Sequence, residues 1–272
     1  MKKFLSILIA LFMTSEAFAS ITVMPTRIEL NANKSRTNYI STAVEVKGDK
    51  EEIMRFRAYT GYFKIDEKGE LVMMDGQTAP NDLSKKIRFV PSEFNVFPRK
   101  SQKVRINIVG LNSLPDGENR TVLYIEDVNP KEMNLDTGRK GINAQLIVKT
   151  RIGVPIYLDK GKTTKKCEIG EFELVQEKGK CLVKAKLLSQ GNSKIRFNSN
   201  IQIVNGKKLV KEQHGTEGVV ADNSSRIISE QIDTTDIEAG EYTLRYVVTY
   251  TDENGKKQNL KEEKTINIKG EM

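Results

Sequence analysis

Three side chains in this sequence stand out as starting points for chemistry: Cys167, Cys181 and His214, the only cysteines and the only histidine among 272 residues. They are too few for a zinc centre, which draws four ligands mostly from these residue types. A serine–histidine–carboxylate triad would have to use His214. That residue stands in K-E-Q-H-G-T-E-G, a polar, turn-like stretch that reads as an exposed loop. Carboxylates are plentiful, but no pair is isolated in apolar surroundings, so glycoside hydrolysis has no foothold. Phosphate-binding glycine loops, dinucleotide fingerprints, nucleophile elbows and calcium loops are absent from the sequence. The chain reads as a non-enzyme that needs no cofactor and no metal. Oxidation is the chemistry left to the cysteines. They flank E-I-G-E-F-E-L-V-Q-E-K-G-K, two strand-like stretches around a Lys178-Gly179 turn. This arrangement predicts a Cys167–Cys181 hairpin disulfide, with two free thiols as the alternative.

An oxidised pair needs an oxidising compartment, and the N-terminus supplies the address. Met1-Lys2-Lys3 is a basic start, Phe4 to Met13 an apolar core, and Ala17-Phe18-Ala19 a cleavage signal. Residues 1–19 are therefore expected to be a signal peptide, with Ser20 opening a mature chain folded outside the cytoplasm. No later run is long and apolar enough to span a bilayer, so no membrane insertion is expected. The net charge of +8 is spread among acids, as where Lys256-Lys257 precedes Glu262-Glu263. Aromatic residues make up 7% and do not interleave with a basic stripe. That pattern reads as a solvated surface, not a nucleic-acid site.

The elements that must position these residues are strands. Period-2 alternation and β-branched residues dominate from Ile21 to Leu30, Tyr39 to Val46, Met54 to Tyr62, Lys103 to Val109, Arg120 to Ile125 and Asn143 to Ile156. The second half repeats the pattern, for example at Cys181 to Leu188 and Tyr242 to Thr251. Short strands at this spacing predict an all-β chain of β-sandwiches, and the length suits two. The polar run Asp159 to Lys166 marks the boundary, giving domains over 20–158 and 159–272. Each half places a Gly-Glu turn before a late strand, at Gly117-Glu118 and Gly240-Glu241. Tyr242 then resembles the tyrosine corner of immunoglobulin-like domains, while Asn119 takes that position in the first half.

The most informative stretch is I-N-A-Q-L-I-V-K-T-R-I-G-V-P-I-Y, from Ile142 to Tyr157. One parity carries Ile142, Ala144, Leu146, Val148, Thr150, Ile152, Val154 and Ile156. Two readings fit it. The row packs into the protein's own core, or an edge strand shows the row to a partner that it joins by strand addition.

Here the residues resemble a family, the periplasmic pilus (fimbrial) chaperones of the chaperone–usher pathway. The stretch Ile87 to Ile106 is similar to the family's R-x-x-P-x-x-x-x-x-x-P-x-x-x-Q-x-x-R pattern, matched by Arg88, Pro91, Pro98, Gln102 and Arg105. Val23-Met24-Pro25-Thr26-Arg27 stands where the family carries an anchoring arginine on its first strand. The alternating strand from Ile142 is the third match. The resemblance covers mainly residues 21–158.

It implies two immunoglobulin-like β-sandwich domains in a boomerang arrangement, working in the periplasm. The first domain would lend Ile142, Ala144, Leu146 and Val148 to a pilus or fimbrial subunit that lacks its last strand, then deliver that subunit to an outer-membrane usher. Arg27 would anchor the subunit's terminal carboxylate. The family's second basic anchor falls on Gly153, so Arg151, one same-face step earlier, is the candidate substitute. The exposed strand could also support self-association. The competing function is a structural or adhesive envelope β-protein related to these chaperones.

Overall fold

The computed structural model describes residues 21–48, 52–74, 76, 79–129, 131–136 and 143–269. The expected signal peptide and Ser20 lie outside these residues, as does Ile142.

Two β-sandwiches follow one another along the chain, each with its own apolar core. The first stacks a sheet ordered β1 (Ile21–Met24), β3 (Tyr39–Gly48), β9 (Ser101–Val109) and β7 (Ile87–Val90). Against it lies a sheet ordered β2 (Ile28–Asn31), β13 (Arg151–Lys160), β10 (Gly117–Asp127), β4 (Met54–Gly61) and β8 (Glu93–Val96). Two ribbons are added, β5 (Phe63–Ile65) with β6 (Leu71–Met73), and β11 (Lys131–Asp136) with β12 (Asn143–Val148). The second sandwich stacks β14 (Cys167–Glu177), β15 (Lys180–Ser189) and β18 (Ser225–Asp233) on β17 (Lys208–Val220), β16 (Ile195–Asn205), β19 (Gly240–Thr251) and β20 (Lys257–Ile268). Residues 161–166 connect β13 to β14.

Alternation decides which face of each strand is buried. Val44, Val46, Val104, Ile106, Leu123, Ile125, Val154, Ile156 and Leu158 all point into the first core. The strand expected from Ile21 to Leu30 is instead two, β1 and β2, which belong to opposite sheets. Pro25 lies between them, where a residue without an amide proton cannot serve a ladder.

Both Gly-Glu turns open a corner of the same kind. Tyr242 Oη donates to the Glu238 carbonyl at 3.0 Å, and Asn119 Nδ2 donates to the Pro115 carbonyl at 3.1 Å. A short amide thus makes the four-residues-back bond that a phenol makes in the other half.

Two expectations are corrected. His214 is not in a loop but on β17, with Nδ1 2.9 Å from Asn200 Oδ1. From Lys211 to Gly218 this edge strand is polar on both faces, as exposed edges often are, so that stretch carries no alternation to read. The cysteines are not bridged. β14 and β15 form the expected hairpin, but its register sets Cys181 opposite Gln176 and Cys167 opposite Ser189. The two residues are therefore about 27 Å apart along the ladder at ~3.3 Å per residue, far beyond the Cα separation that a disulfide tolerates. Both are free and buried. Burial pushes the Cys167 thiol up to about 11 and raises that of Cys181 too.

Candidate functional site

The stretch from Ile142 to Tyr157 is divided between two structural roles. β13 buries Val154, Ile156 and Leu158 in the core, and Ile152 packs against it. The ladder breaks at Lys149 and Thr150, and β12 continues beyond the sandwich as half of a ribbon. Ala144 lies on this ribbon opposite Leu135, Leu146 opposite Met133 and Val148 opposite Lys131. Leu146 and Val148 are 44% and 41% exposed, and Ile147 on the other face is 59% exposed. β12 pairs with β11 alone, so its second edge has no strand partner among the described residues. A single parity therefore serves the core at one end and meets solvent at the other.

The odd residues of β13 face outward, on the side covered by the second sandwich. Tyr124, from β10, is central to one end of this face. Its ring lies 5.1 Å from that of Tyr59, and the Arg151 guanidinium stacks over it at 4.4 Å. Arg151 Nη1 also donates to Tyr59 Oη at 3.2 Å, and Tyr59 Oη donates to Glu126 Oε2 at 2.7 Å. Lys149 Nζ sits 2.7 Å from Glu126 Oε1. Hydrogen bonds from Lys149 and Tyr59 hold the Glu126 carboxyl below the usual carboxylate range. Gly153 lies beneath this group. A Cβ there would come within 3.1 Å of Val122 Cγ2 and 3.5 Å of Tyr124 Cε1. A side chain at this position would press the Val122 methyl and pack against the edge of the ring on which Arg151 rests.

Further along the face is a charged floor. Arg27 precedes β2, and Arg27 and Glu29 share a face as residues two apart on an extended chain. The β2–β13 register sets Glu29 beside Tyr157. The Tyr157 ring carries the Lys194 ammonium at 3.7 Å. Lys194 Nζ is 3.0 Å from Glu118 Oε2, and Arg120 Nε lies 3.2 Å from Glu118 Oε1. Arg120 also pairs with Asp222 of the second sandwich. The Glu118 amide donates to the Asn192 carbonyl at 2.8 Å. That approach requires Gly117, whose φ is +103° and whose Cβ, if present, would lie 2.5 Å from the Asn192 oxygen. At the edge of the floor, Glu29 Oε1 accepts from Arg196 Nε at 2.8 Å and stands 3.5 Å from Arg27 Nε. A cavity of about 270 Å³ opens here, lined by Glu29, Tyr157, Asp159, Lys165, Lys194 and Arg196 among others.

Between the two charged ends an apolar patch seals the face. Phe63, Ile65, Val122, Tyr124 and Tyr157 meet Ala221 of the second sandwich. The turn of the β5–β6 ribbon also touches that sandwich, with the Ile227 amide donating to the Glu67 carbonyl at 2.7 Å. Among the described residues, no group of three or more His, Cys, Asp or Glu could hold a metal ion, and no helix is long and apolar enough to cross a membrane.

Of the residues singled out by sequence, Leu146 and Val148 are displayed together on β12. Arg27 and Arg151 lie apart, each with its own partners. The motif from Arg88 to Arg105 builds β7 to β9 and their turns, where Arg88 Nη1 donates to the Lys85 and Ile87 carbonyls. Sequence reasoning missed Glu29, Glu118, Arg120, Tyr157, Lys194 and Arg196. The available signal was the charge of Glu118 and Arg120 on the same parity as Val122 and Tyr124.

No family model matches the chain, and no curated protein does. Solved structures of chaperones are similar to it. The CupB2 chaperone of Pseudomonas aeruginosa has 13% identity and a TM-score of 0.45, over 91% of this chain and 100% of that one. The E. coli chaperone DraB has 16% identity and a TM-score of 0.43, over 90% and 98%. A match to the CsuC–CsuE chaperone–tip adhesion subunit pre-assembly complex of Acinetobacter baumannii has 12% identity and a TM-score of 0.43, over 93% and 100%.

Proposed function

We propose that this protein is a periplasmic chaperone that lends β12 to pilus or fimbrial subunits lacking a final strand and passes them to an outer-membrane usher. The observation that carries this reading is the split parity, core at Val154, Ile156 and Leu158 but solvent at Leu146 and Val148. A subunit short of one strand exposes an apolar groove and unpaired backbone groups, both of which invite aggregation. An exposed strand with a free edge covers groove and backbone together. Ala144, Leu146 and Val148, with Ile142 before them, are the residues offered, and Arg27 anchors the client's terminal carboxylate. On this reading the chain is exported by residues 1–19 and matures at Ser20. Residues 20–158 form the lending domain and residues 159–272 the second domain.

Co-purification from a periplasmic extract tests the function. A one-to-one complex with a strand-deficient subunit supports it. A protein that only polymerises with itself through β12 fits a structural or adhesive envelope role instead.

A further inference from the structure

We infer that the carboxylate site of this protein is built from both sandwiches, Arg27 from the first and Arg196 from the second, and that Glu29 fills it in the free protein as an internal stand-in. The inference deepens the chaperone reading and rests on it.

The geometry already shows a carboxylate in the site. Glu29 Oε1 lies between the two guanidiniums, 3.5 Å from Arg27 Nε and 2.8 Å from Arg196 Nε, with Arg196 Nη2 also in contact. Two guanidiniums share this one carboxylate, while on the cavity wall Asp159 pairs with Lys165 at 3.6 Å and Asp252 Oδ2 accepts from Gln258 Nε2 at 2.8 Å. A guanidinium fork is the side chain best shaped to hold a carboxylate. The site is also within reach of solvent, since the Arg27, Glu29 and Arg196 side chains are 57%, 42% and 36% exposed. An incoming carboxylate can therefore enter without opening the core, and the adjoining cavity leaves room for Glu29 to swing aside. Burial alone would raise the Glu29 carboxyl, but the Arg196 hydrogen bond and the charges of Lys194, Arg196 and Arg27 outweigh it and hold the group below its ordinary value.

Arg151 is placed differently. The β2–β13 register sets Ile28 beside Ile156. Arg27 is thus level with Pro155, about 13 Å along the sheet from Arg151 at ~3.3 Å per residue. The Arg151 guanidinium is already committed to the Tyr124 ring and Tyr59 Oη.

The stand-in makes a client compete with Glu29, so only a segment that brings both a carboxylate and a strand for β12 displaces it. The test uses the mature protein and two synthetic peptides of ten alternating valines and threonines, one with a free C-terminal carboxylate and one amidated. Isothermal titration should show the carboxylate form preferred by about tenfold. Arg196→Ala should abolish that preference, and Arg151→Ala should cost it far less. Glu29→Gln should tighten the carboxylate form several-fold and leave the amide unchanged. Arg196→Gln, which keeps the aliphatic stem, replaces the alanine variant if alanine lowers the melting temperature. A preference that survives loss of Arg196, or vanishes with Arg151, overturns the inference. Equal binding of both peptides overturns it and leaves strand lending intact. Failure of both peptides to bind removes the chaperone reading and the inference together.

Discussion

The carboxylate of Glu118 and the ammonium of Lys194, one in each sandwich, lie 3.0 Å apart with almost no exposure to water. Each is also held on a second side, Glu118 by Arg120 and Lys194 by the Tyr157 ring. Removing one partner of a buried pair strands the other charge and costs about 3–5 kcal/mol, whereas replacing both by apolar groups costs far less. Glu118→Ala should therefore lower the stability measured by urea unfolding by about that amount. The double variant Glu118→Leu with Lys194→Met should recover much of it. Additive losses in the double variant would show that the pair does not join the sandwiches energetically.

Leu146→Glu should abolish client binding and leave the melting temperature nearly unchanged, because Leu146 meets solvent in the free protein. A charge there is buried unpaired only in the complex. Ile156→Glu, on the same parity but inside the core, should prevent folding. Circular dichroism of the two variants reads the difference. A collapse of Leu146→Glu would place that residue in the protein's own core.

Arg27→Ala should weaken client capture by roughly tenfold or more with little change in melting, since its ion pair among the described residues is the exposed one with Glu29. Arg151→Ala should weaken capture less and melting more, because it strips the packed Tyr124 ring of its cation. Affinity and melting curves measured side by side would show whether the two arginines divide their work in this way.

Cys167 and Cys181 should both be alkylated after unfolding and resist alkylation in the native protein. Both are buried, and their raised pKa values leave almost no thiolate at neutral pH. Mass spectrometry of the oxidised, exported protein, with and without reductant, should give identical alkylation of the unfolded chain. Loss of both alkyl adducts without reductant would mean that the register of β14 against β15 is wrong.

Stability should fall on the alkaline side. Burial, with help from Glu118, pushes the Tyr157 phenol up to about 12, and burial raises that of Tyr246 as well. An unfolded tyrosine titrates near 10. Between these values the native state keeps protons that the unfolded state has lost, so the free energy of unfolding drops as pH rises. The contribution is complete below about pH 10 and is lost as pH climbs through about 12. Absorbance titration at high pH should find late phenolates, and Tyr157→Phe should flatten the stability profile over that window.

Much of this was legible in the sequence. Alternation placed Leu146 and Val148 on one face with Val154 and Ile156, and it also posed the choice between core and partner. It could not show that Lys149 and Thr150 end the ladder, because the point where a sandwich stops is set by the length of its other strands. The Cys167–Cys181 bridge was an avoidable misreading. Counting outward from the Lys178-Gly179 turn already pairs Cys181 with Gln176. The Glu118–Lys194 pair was out of reach, since 76 residues separate the partners and no local pattern links them. The edge strand β17 was missed because its polar stretch from Lys211 to Gly218 has no period to betray it.

The break at Lys149 and Thr150 has a consequence for how such a protein can be altered. Buried core residues such as Val154 and Ile156 lie on one side of it, and on the other begin the exposed Leu146 and Val148 that, on the proposed function, meet the client. The hairpin beyond the break is thus an exchangeable cassette. Its apolar residues can be resized to suit a different groove while the melting transition of the body beneath stays where it was, so that specificity and stability respond to separate sets of mutations.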